Sequence, residues 1–458
     1  MDWQLVAGPR GDRATALYQQ IRAAVLDARL RPGDRLPATR ELAGIVAVSR
    51  GTVTAAYERL TAEGFLVGKV GAGTFVARGV RPERRRRAPG GAVRPRTGFP
   101  ATAPATVVPP AVRVDLSVGM PDPSLFPLAT WRRLVSAELR PGRIGAVAYS
   151  EPGGQPALRA AIARHLGLAR GLRAGADDVV VTSGAQQAFD LVGRVLIEPG
   201  DVVAVEEPGY PPVRQLWESS GATVVGVPVD EDGLQVDALP ARARLVHVTP
   251  SHQFPLGPVL APARRVALLE WAERRGAVIV EDDYDSEYRY ADRPLEPLQA
   301  RDPHGRVVYV GTFSKTLLPM LRLGFLVAPA SLRPALLTAR RLADWHGDPV
   351  AESALARFID EGLLARHVRR TAKEYAARRT ALLDALPEGW VPWPSAAGLH
   401  IAVRVPDAAA VADRAAAQGI RLETLDRYCA GPPLDGLALG IGLARADVIT
   451  ETLTREWR

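Results

Sequence analysis

The chain reads as an α/β protein in three parts. These are an N-terminal winged helix-turn-helix over 1–78, a flexible basic and proline-rich linker over 79–114, and a large domain over 115–458 built on a mostly parallel sheet. Three observations predict this. Two short helical patterns and a glycine-punctuated β pattern close near residue 77, a stretch dominated by Arg, Pro and Ala follows, and from Asp115 onward apolar runs of strand length alternate with helical patterns. A length of 458 residues also suits about three structural units at roughly 150 residues each. Hydrophobic residues at 47% and charged residues at 24% exclude a chain that is disordered throughout. No apolar run is long enough to cross a bilayer and the opening MDWQLVAGPRGDR has no secretory apolar core, so the expected location is the cytoplasm, with no membrane partner. The single cysteine, Cys429, forms neither an intramolecular disulfide nor a cysteine-rich zinc site and reads as a packed side chain.

In the head, Leu17, Ile21, Ala24, Val25 and Ala28 recur at helical spacing over 16–30, and Arg31-Pro32-Gly33-Asp34 stops the pattern. A short helix opens at Pro37-Ala38-Thr39, and Ser49 stands as the N-cap of the next, which runs through Leu60. Residues 65–76 alternate β-formers with glycines and predict a hairpin wing. The second helix of such a pair enters a major groove by its N-terminus, which makes Ser49, Arg50, Thr52 and Thr54 the candidate readers. Arg40 and Lys69 are candidate phosphate or groove contacts, while Val53, Ala56, Tyr57 and Leu60 read as the buried face. Charge agrees: residues 1–114 hold 19 Lys and Arg against 8 Asp and Glu, a net +11, whereas the rest of the chain carries −3. A basic head suits nucleic acid, although a solvated basic tail would carry the same charge. The helix, PATR turn, SRGTV helix and glycine wing resemble the winged helix-turn-helix of the GntR family of bacterial regulators over about residues 13 to 77.

The linker carries the run Arg84–Arg87 and little hydrophobic periodicity, which predicts a mobile tether that adds phosphate contacts or merely keeps the chain soluble.

In the large domain, strands are expected at 178–182, 202–205, 224–227, 245–248, 277–280 and 307–310, with helices at 185–196 and 211–219. Ligands of such sheets gather beyond the strands' C-terminal ends, and the chemical residues of this chain fall there. VVVTSGAQQAFDL sets Ala185 and Gln186 at a helix N-terminus, whose free amides bind phosphate. Tyr210 presents a ring on which a flat ligand stacks, though loop aromatics commonly just pack. The segment EDDYDSEY offers Asp282 either as an oxygen ligand for magnesium or calcium or, more economically, as the partner of a protonated pyridine nitrogen. VVYVGTFSKTLLPMLRLGF supplies Thr312, Ser314, Lys315 and Arg322. Only Lys69, Lys315 and Lys373 are lysines in a chain rich in arginine. A neutral amine condenses with an aldehyde and a guanidinium does not, so Lys315 is the candidate nucleophile and Arg322 a phosphate partner.

These residues resemble the fold-type I aminotransferases over about 115–458, and TPSHQFPLG, EDDYDSEY and GTFSKTLLP behind a GntR-like head resemble the MocR subfamily of transcription regulators. The resemblance implies pyridoxal 5'-phosphate as cofactor, no metal, and a homodimer on operator DNA. It implies Lys315 as the Schiff-base lysine, Asp282 on the pyridine nitrogen, Tyr284 near the phenolic oxygen and Tyr210 stacked on the ring. It gives the phosphate to the Ala185 and Gln186 amides, Thr312, Ser314 and Arg322, with Tyr149 as the residue that completes a partner's phosphate site. Two departures stand out. Phe254-Pro255-Leu256-Gly257 replaces the usual Asn-Pro-Thr-Gly, leaving His252 to compensate, and Ala438 stands where a penultimate-strand arginine usually clamps a substrate carboxylate, with Arg427 and Arg445 nearby. The expectation is a regulator that senses pyridoxal phosphate and controls vitamin B6 synthesis, without efficient turnover. An amine- or amino-acid-responsive regulator, an active aminotransferase with Lys315 as its proton-transfer base, and a cofactor-free scaffold are the alternatives.

Overall fold

The computed structural model describes residues 12–79, 92, 94–96, 99, 112–142, 149–290, 296–395 and 397–456, and the chain divides into two compact units, Met1–Pro95 and Arg96–Arg458. The arginine run and most of the predicted linker lie outside the described residues.

In the first unit, α1 (Arg13–Leu26), α2 (Thr39–Val46) and α3 (Arg50–Ala62) precede an antiparallel hairpin of β1 (Leu66–Lys69) and β2 (Gly73–Val76), with Leu66 opposite Val76. Leu17, Ile21 and Val25 of α1 meet Leu42, Val53 and Leu60 in one core, which Leu66 and Val76 close. The helix expected to reach Leu30 instead ends at Leu26. Ala28 turns left-handed at φ 65°, and the Leu30 amide reaches back 2.7 Å to the Ala24 carbonyl, so Leu30 is buried from a turn rather than from a helix face.

Among the described residues, the main sheet of the second unit has eight strands: β3 (Val179–Thr182), β4 (Val202–Glu207), β5 (Thr223–Asp230), β6 (Gly233–Leu234), β7 (Ala243–Val248), β8 (Val278–Asp283), β9 (Val307–Thr312) and β10 (Gly324–Val327). Their spatial order is β3, β10, β9, β8, β7, β4, β5, β6. The neighbours from β9 through β8, β7 and β4 to β5 are parallel, and β10 runs antiparallel to both β9 and β3. That strand was not among those expected from sequence, although Leu323–Ala328 is an apolar run of strand length. The strands carry apolar side chains on both faces: Val179 and Val181 enter one core while Val180 enters the opposite one with Phe189, Leu191 and Val192 of the helix Ala185–Leu196. Each such large side chain contributes about 1.5–3 kcal/mol by burial, which holds that helix, and the turn before it, rigidly against the sheet. A smaller antiparallel sheet, Val391–Pro392, His400–Arg404, Leu437–Gly440 and Glu423–Thr424, forms near the C-terminus. Leu437–Gly440, read from sequence as penultimate, is the last strand among the described residues.

Candidate functional site

Strands β8 and β9 run two to three residues further than their apolar cores suggest, and this carries Asp282 and Thr312 on ordered backbone to the sheet's edge, with Val310 paired to Asp282. A cavity of about 650 Å³ opens there. Its lining includes Ala185, Gln186, Tyr210, Asp282, Tyr284, Thr312, Ser314, Lys315 and Arg322, so nine of the residues singled out in sequence converge on one space.

The turn from β3 into the helix Ala185–Leu196 passes through Gly184 at φ 80°, and no side chain caps the helix. A β-carbon on Gly184 would stand 3.0 Å from the Arg322 guanidinium, so the glycine admits that cation beside the uncapped amides. Arg322 donates to the Ser183 carbonyl at 2.6 Å. Thr312 Oγ1 donates to Ser314 Oγ at 2.9 Å and accepts from the Ser314 amide at 3.1 Å, which sets both hydroxyls on the same rim. Helix amides, two hydroxyls and an arginine together make an anion site.

Asp282 is buried, and burial pushes its carboxyl up while His247 opposes the shift, with Nε2 at 3.4 Å from Asp282 Oδ2. The other oxygen, Oδ1, has no hydrogen-bond partner among the described residues. Burial raises the Tyr284 phenol well above its ordinary value and the Tyr210 phenol to about 12, so both remain protonated donors. Lys315 Nζ donates to the Gly119 carbonyl at 2.8 Å, and burial holds the amine below the usual lysine range against the pull of Asp285 and Asp282. A lysine biased toward its neutral form is a competent nucleophile.

His252 does not line the cavity. Its Nδ1 lies 3.1 Å from Asp285 Oδ1 and 2.9 Å from the Tyr284 hydroxyl, so the buried carboxylate draws the imidazole behind Tyr284, and the Phe254 ring takes the place in the wall. His252, Asp285 and His400 have ligand atoms within 4.8 Å of one another, but the bonds of His252 Nδ1 to Asp285 and Tyr284 already account for its closest contacts. Tyr149 stands outside its own chain's cavity, 76% exposed, with its ring 4.9 Å from that of Trp345. Ala438 is fully buried against Ala402, Leu425 and Tyr428. Arg445 points to solvent and pairs with Asp447 at 3.1 Å, whereas Arg427 is in the lining. Sequence reasoning missed His247, the one polar residue in the run Leu245–Val248 and therefore a usable signal. It also missed Gly119, which no periodicity marks.

In the first unit, Arg40 and Arg50 are exposed at the starts of α2 and α3, and Lys69 is exposed at the end of β1 with its ammonium 5.1 Å from the Phe75 ring centre. The hydroxyls are engaged locally. Ser49 Oγ accepts from the Thr52 amide at 3.1 Å and lies 2.8 Å from the Thr52 hydroxyl, and Thr54 donates to the Arg50 carbonyl at 3.0 Å. This leaves the cations as the outward groups, while Val53, Ala56, Tyr57 and Leu60 are buried as expected.

Residues 116–424 match the family model of class I and II aminotransferases, and residues 13–76 match that of bacterial regulatory proteins of the gntR family. The chain is 37% identical to the probable rhizopine catabolism regulatory protein MocR of Rhizobium meliloti, over 93% of this chain and 89% of that protein. It is 35% identical to the pyridoxine biosynthesis transcriptional regulator PdxR of Corynebacterium glutamicum, over 95% and 93%. Among solved structures, the kynurenine aminotransferase of Pyrococcus horikoshii, determined with PMP, superposes with a TM-score of 0.70 at 29% identity, covering 76% of this chain and 90% of that one. Among the described residues, no helix is long and apolar enough to cross a membrane.

Proposed function

Because the chain belongs to the MocR subfamily of GntR-family transcription regulators, in which a helix-turn-helix head is joined to an aminotransferase-like domain, we propose that its large unit binds pyridoxal 5'-phosphate at Lys315 and reports this to operator DNA. The observation that carries the reading is Asp282, a buried carboxylate with an unpartnered Oδ1, in the same cavity lining as Lys315. An orphaned buried acceptor is costly, and a protonated ring nitrogen satisfies it where a hydrocarbon cannot. The uncapped helix, Gly184 and Arg322 fit a phosphate in the same way. Bound there, the cofactor would supply an aldehyde that condenses with a primary amine and a ring that takes up electrons.

This chain's residues divide the remaining work. The Ala185 and Gln186 amides, Thr312, Ser314 and Arg322 hold the phosphate, Tyr210 stacks on the ring, and Tyr284 donates to the ring's phenolic oxygen with His252 behind it. Asp282 keeps a proton on the ring nitrogen, and Lys315 presents its amine. The unit acts as a homodimer, with exposed Tyr149 the candidate to complete the phosphate site of a second copy. Arg40, Arg50 and Lys69 contact the operator, with Ser49, Thr52 and Thr54 fixing the start of the reading helix.

The regulated process is vitamin B6 synthesis. Support comes from the relative named for pyridoxine biosynthesis and from buried Ala438, which leaves that strand without a carboxylate clamp and argues against efficient turnover of a standard amino acid. A second reading, a regulator that answers to an amine or amino acid, is favoured by Arg427 in the cavity wall.

The test is DNA footprinting upstream of the neighbouring genes with and without pyridoxal phosphate, for the parent chain and Lys315→Ala. The expected result is protection that changes with the cofactor in the parent alone, together with the cofactor's mass on the Lys315 peptide after borohydride trapping. A parent peptide without that mass, or a footprint indifferent to the cofactor, rejects the proposal.

A further inference from the structure

The turn from β3 into the helix Ala185–Leu196 is held by residues that do not line the cavity. The Ser183 amide donates to Gln187 Oε1 at 2.8 Å, the Ser183 carbonyl accepts from Arg322 at 2.6 Å, and Thr182 Oγ1 donates to the Gly184 carbonyl at 3.1 Å. The peptide planes 182–183, 183–184 and 184–185 are thus each pinned by a bond, the last of them carrying the Ala185 amide, while the helix itself has no side-chain cap. The far end of Gln187 runs away from the cavity, its Nε2 donating to Asp344 Oδ2 at 2.7 Å. We propose that Gln187 is a positioning residue for the phosphate turn, and that Asp344, backed by the buried Arg340, sets the direction of its amide. This rests on the cofactor reading of the same cavity.

A carboxamide is nearly symmetric in shape, so its orientation follows from what each end meets. An ionised carboxylate only accepts, so Asp344 takes the nitrogen end of Gln187 and leaves the oxygen end to the Ser183 amide. Turned over, the same side chain would set a donor against a donor, and the Ser183 amide would lose its partner. Asp344 is in turn kept in place by Arg340, four residues earlier on the helix Arg333–Asp344, whose Nη1 stands 3.1 Å from the same Oδ2. Arg340 is fully buried and none of its nitrogens has a hydrogen-bond partner among the described residues, so charge holds it, with Asp344 and the buried Glu352 as its counter-ions. A buried cation without hydrogen bonds is costly, and fixing the carboxylate that aims Gln187 is the use this geometry shows. The cavity lining includes none of Gln187, Asp344 and Arg340, so they act on the site through the backbone of the turn.

The experiment titrates the full chain, freed of cofactor, with pyridoxal phosphate and with pyridoxal, which lacks the phosphate. It compares the parent, Gln187→Met, Asp344→Asn and the double variant, read by absorbance and by the borohydride-trapped mass on the Lys315 peptide. Gln187→Met keeps the side chain's length and leaves the Arg340–Asp344 pair untouched, and Asp344→Asn keeps shape while Glu352 still faces Arg340. Gln187→Met is expected to bind pyridoxal phosphate about ten-fold more weakly, the worth of one hydrogen bond, and Asp344→Asn to lose a smaller factor. Pyridoxal binding is expected to stay within about two-fold of the parent in both. The double variant is expected to lose no more than Gln187→Met alone, because residues acting in one chain are not additive. An unchanged preference for the phosphorylated form in Gln187→Met, equal losses for the two ligands, or losses that add in the double variant overturns the inference. A parent that takes up neither ligand at Lys315 would instead defeat the reading on which it rests, and the two failures are thereby separated.

Discussion

Asp282 shows what a single carboxylate gains from its neighbours. Two strands place it: β8 carries it beyond its apolar core into the cavity lining, and β7 brings His247 to 3.4 Å from one oxygen while the other is buried without a partner among the described residues. Replacing it by alanine removes the acceptor for a charged donor, a bond worth about 1.5–3 kcal/mol. Asp282→Ala is therefore expected to weaken cofactor binding by roughly 10–100-fold in an absorbance titration, and an unchanged affinity would mean the ring nitrogen does not face this residue. Lys315, Asp282 and Arg322 were legible as residue types because each does something its common substitutes cannot. The place of His252 behind Tyr284 was not legible, because sequence supplies its proximity in the chain and not the direction in which Asp285 draws its ring.

At the scale of elements, the start of α3 depends on one side chain. Ser49 Oγ accepts from the Thr52 amide at 3.1 Å and caps the helix. Loss of an N-cap costs about 1 kcal/mol, so Ser49→Ala is expected to speed hydrogen exchange at the first α3 amides by about five-fold in the full chain, with the rest of the head little changed. The strand ends of the large unit hold a different burden. Burial raises Glu206 and Glu281 to about 7 and Glu287 to about 8, while it lowers His165, His367 and His400. Unfolding releases protons from these carboxyls above pH 4.5, so they favour the folded state less as pH rises toward 8. The histidines act in the opposite sense, since below their ordinary 6.5 the unfolded chain takes up protons that the native one refuses. The two effects oppose each other below pH 6.5, and above it the three raised carboxyls outnumber the one lowered amine, Lys315, which acts against them. The unfolding free energy of the large unit, from urea titration followed by tryptophan fluorescence, is therefore expected to fall from pH 6.5 to 8, by at most about 1.4 kcal/mol per carboxyl per pH unit. An unfolding free energy that rises over that range would contradict these burial effects.

For the whole molecule, regulation of the proposed kind requires that cofactor and operator each prefer one arrangement of the protein. Linkage then makes the effect reciprocal. If pyridoxal phosphate changes operator affinity by some factor, operator DNA is expected to change cofactor affinity by the same factor, measured by absorbance titration with and without a saturating duplex at fixed salt. Unequal factors would mean that the two measurements report different states.

Period and composition were enough to determine the α/β class with a helix-turn-helix head ahead of the large domain, the positions of the helices and strands they marked to within a few residues, and the convergence of chemistry at strand ends, because burial on two faces of a parallel sheet writes itself as apolar runs and polar termini. Four things were decided only by the tertiary structure: the antiparallel insertion of β10, the partnership of His247 with Asp282, the retreat of His252 behind Tyr284, and the delivery of Arg427 but not Arg445 to the cavity. Each depends on register or on a hydrogen bond between residues distant in the chain. No local pattern of side-chain types encodes the direction in which a side chain is drawn once its distant partner arrives.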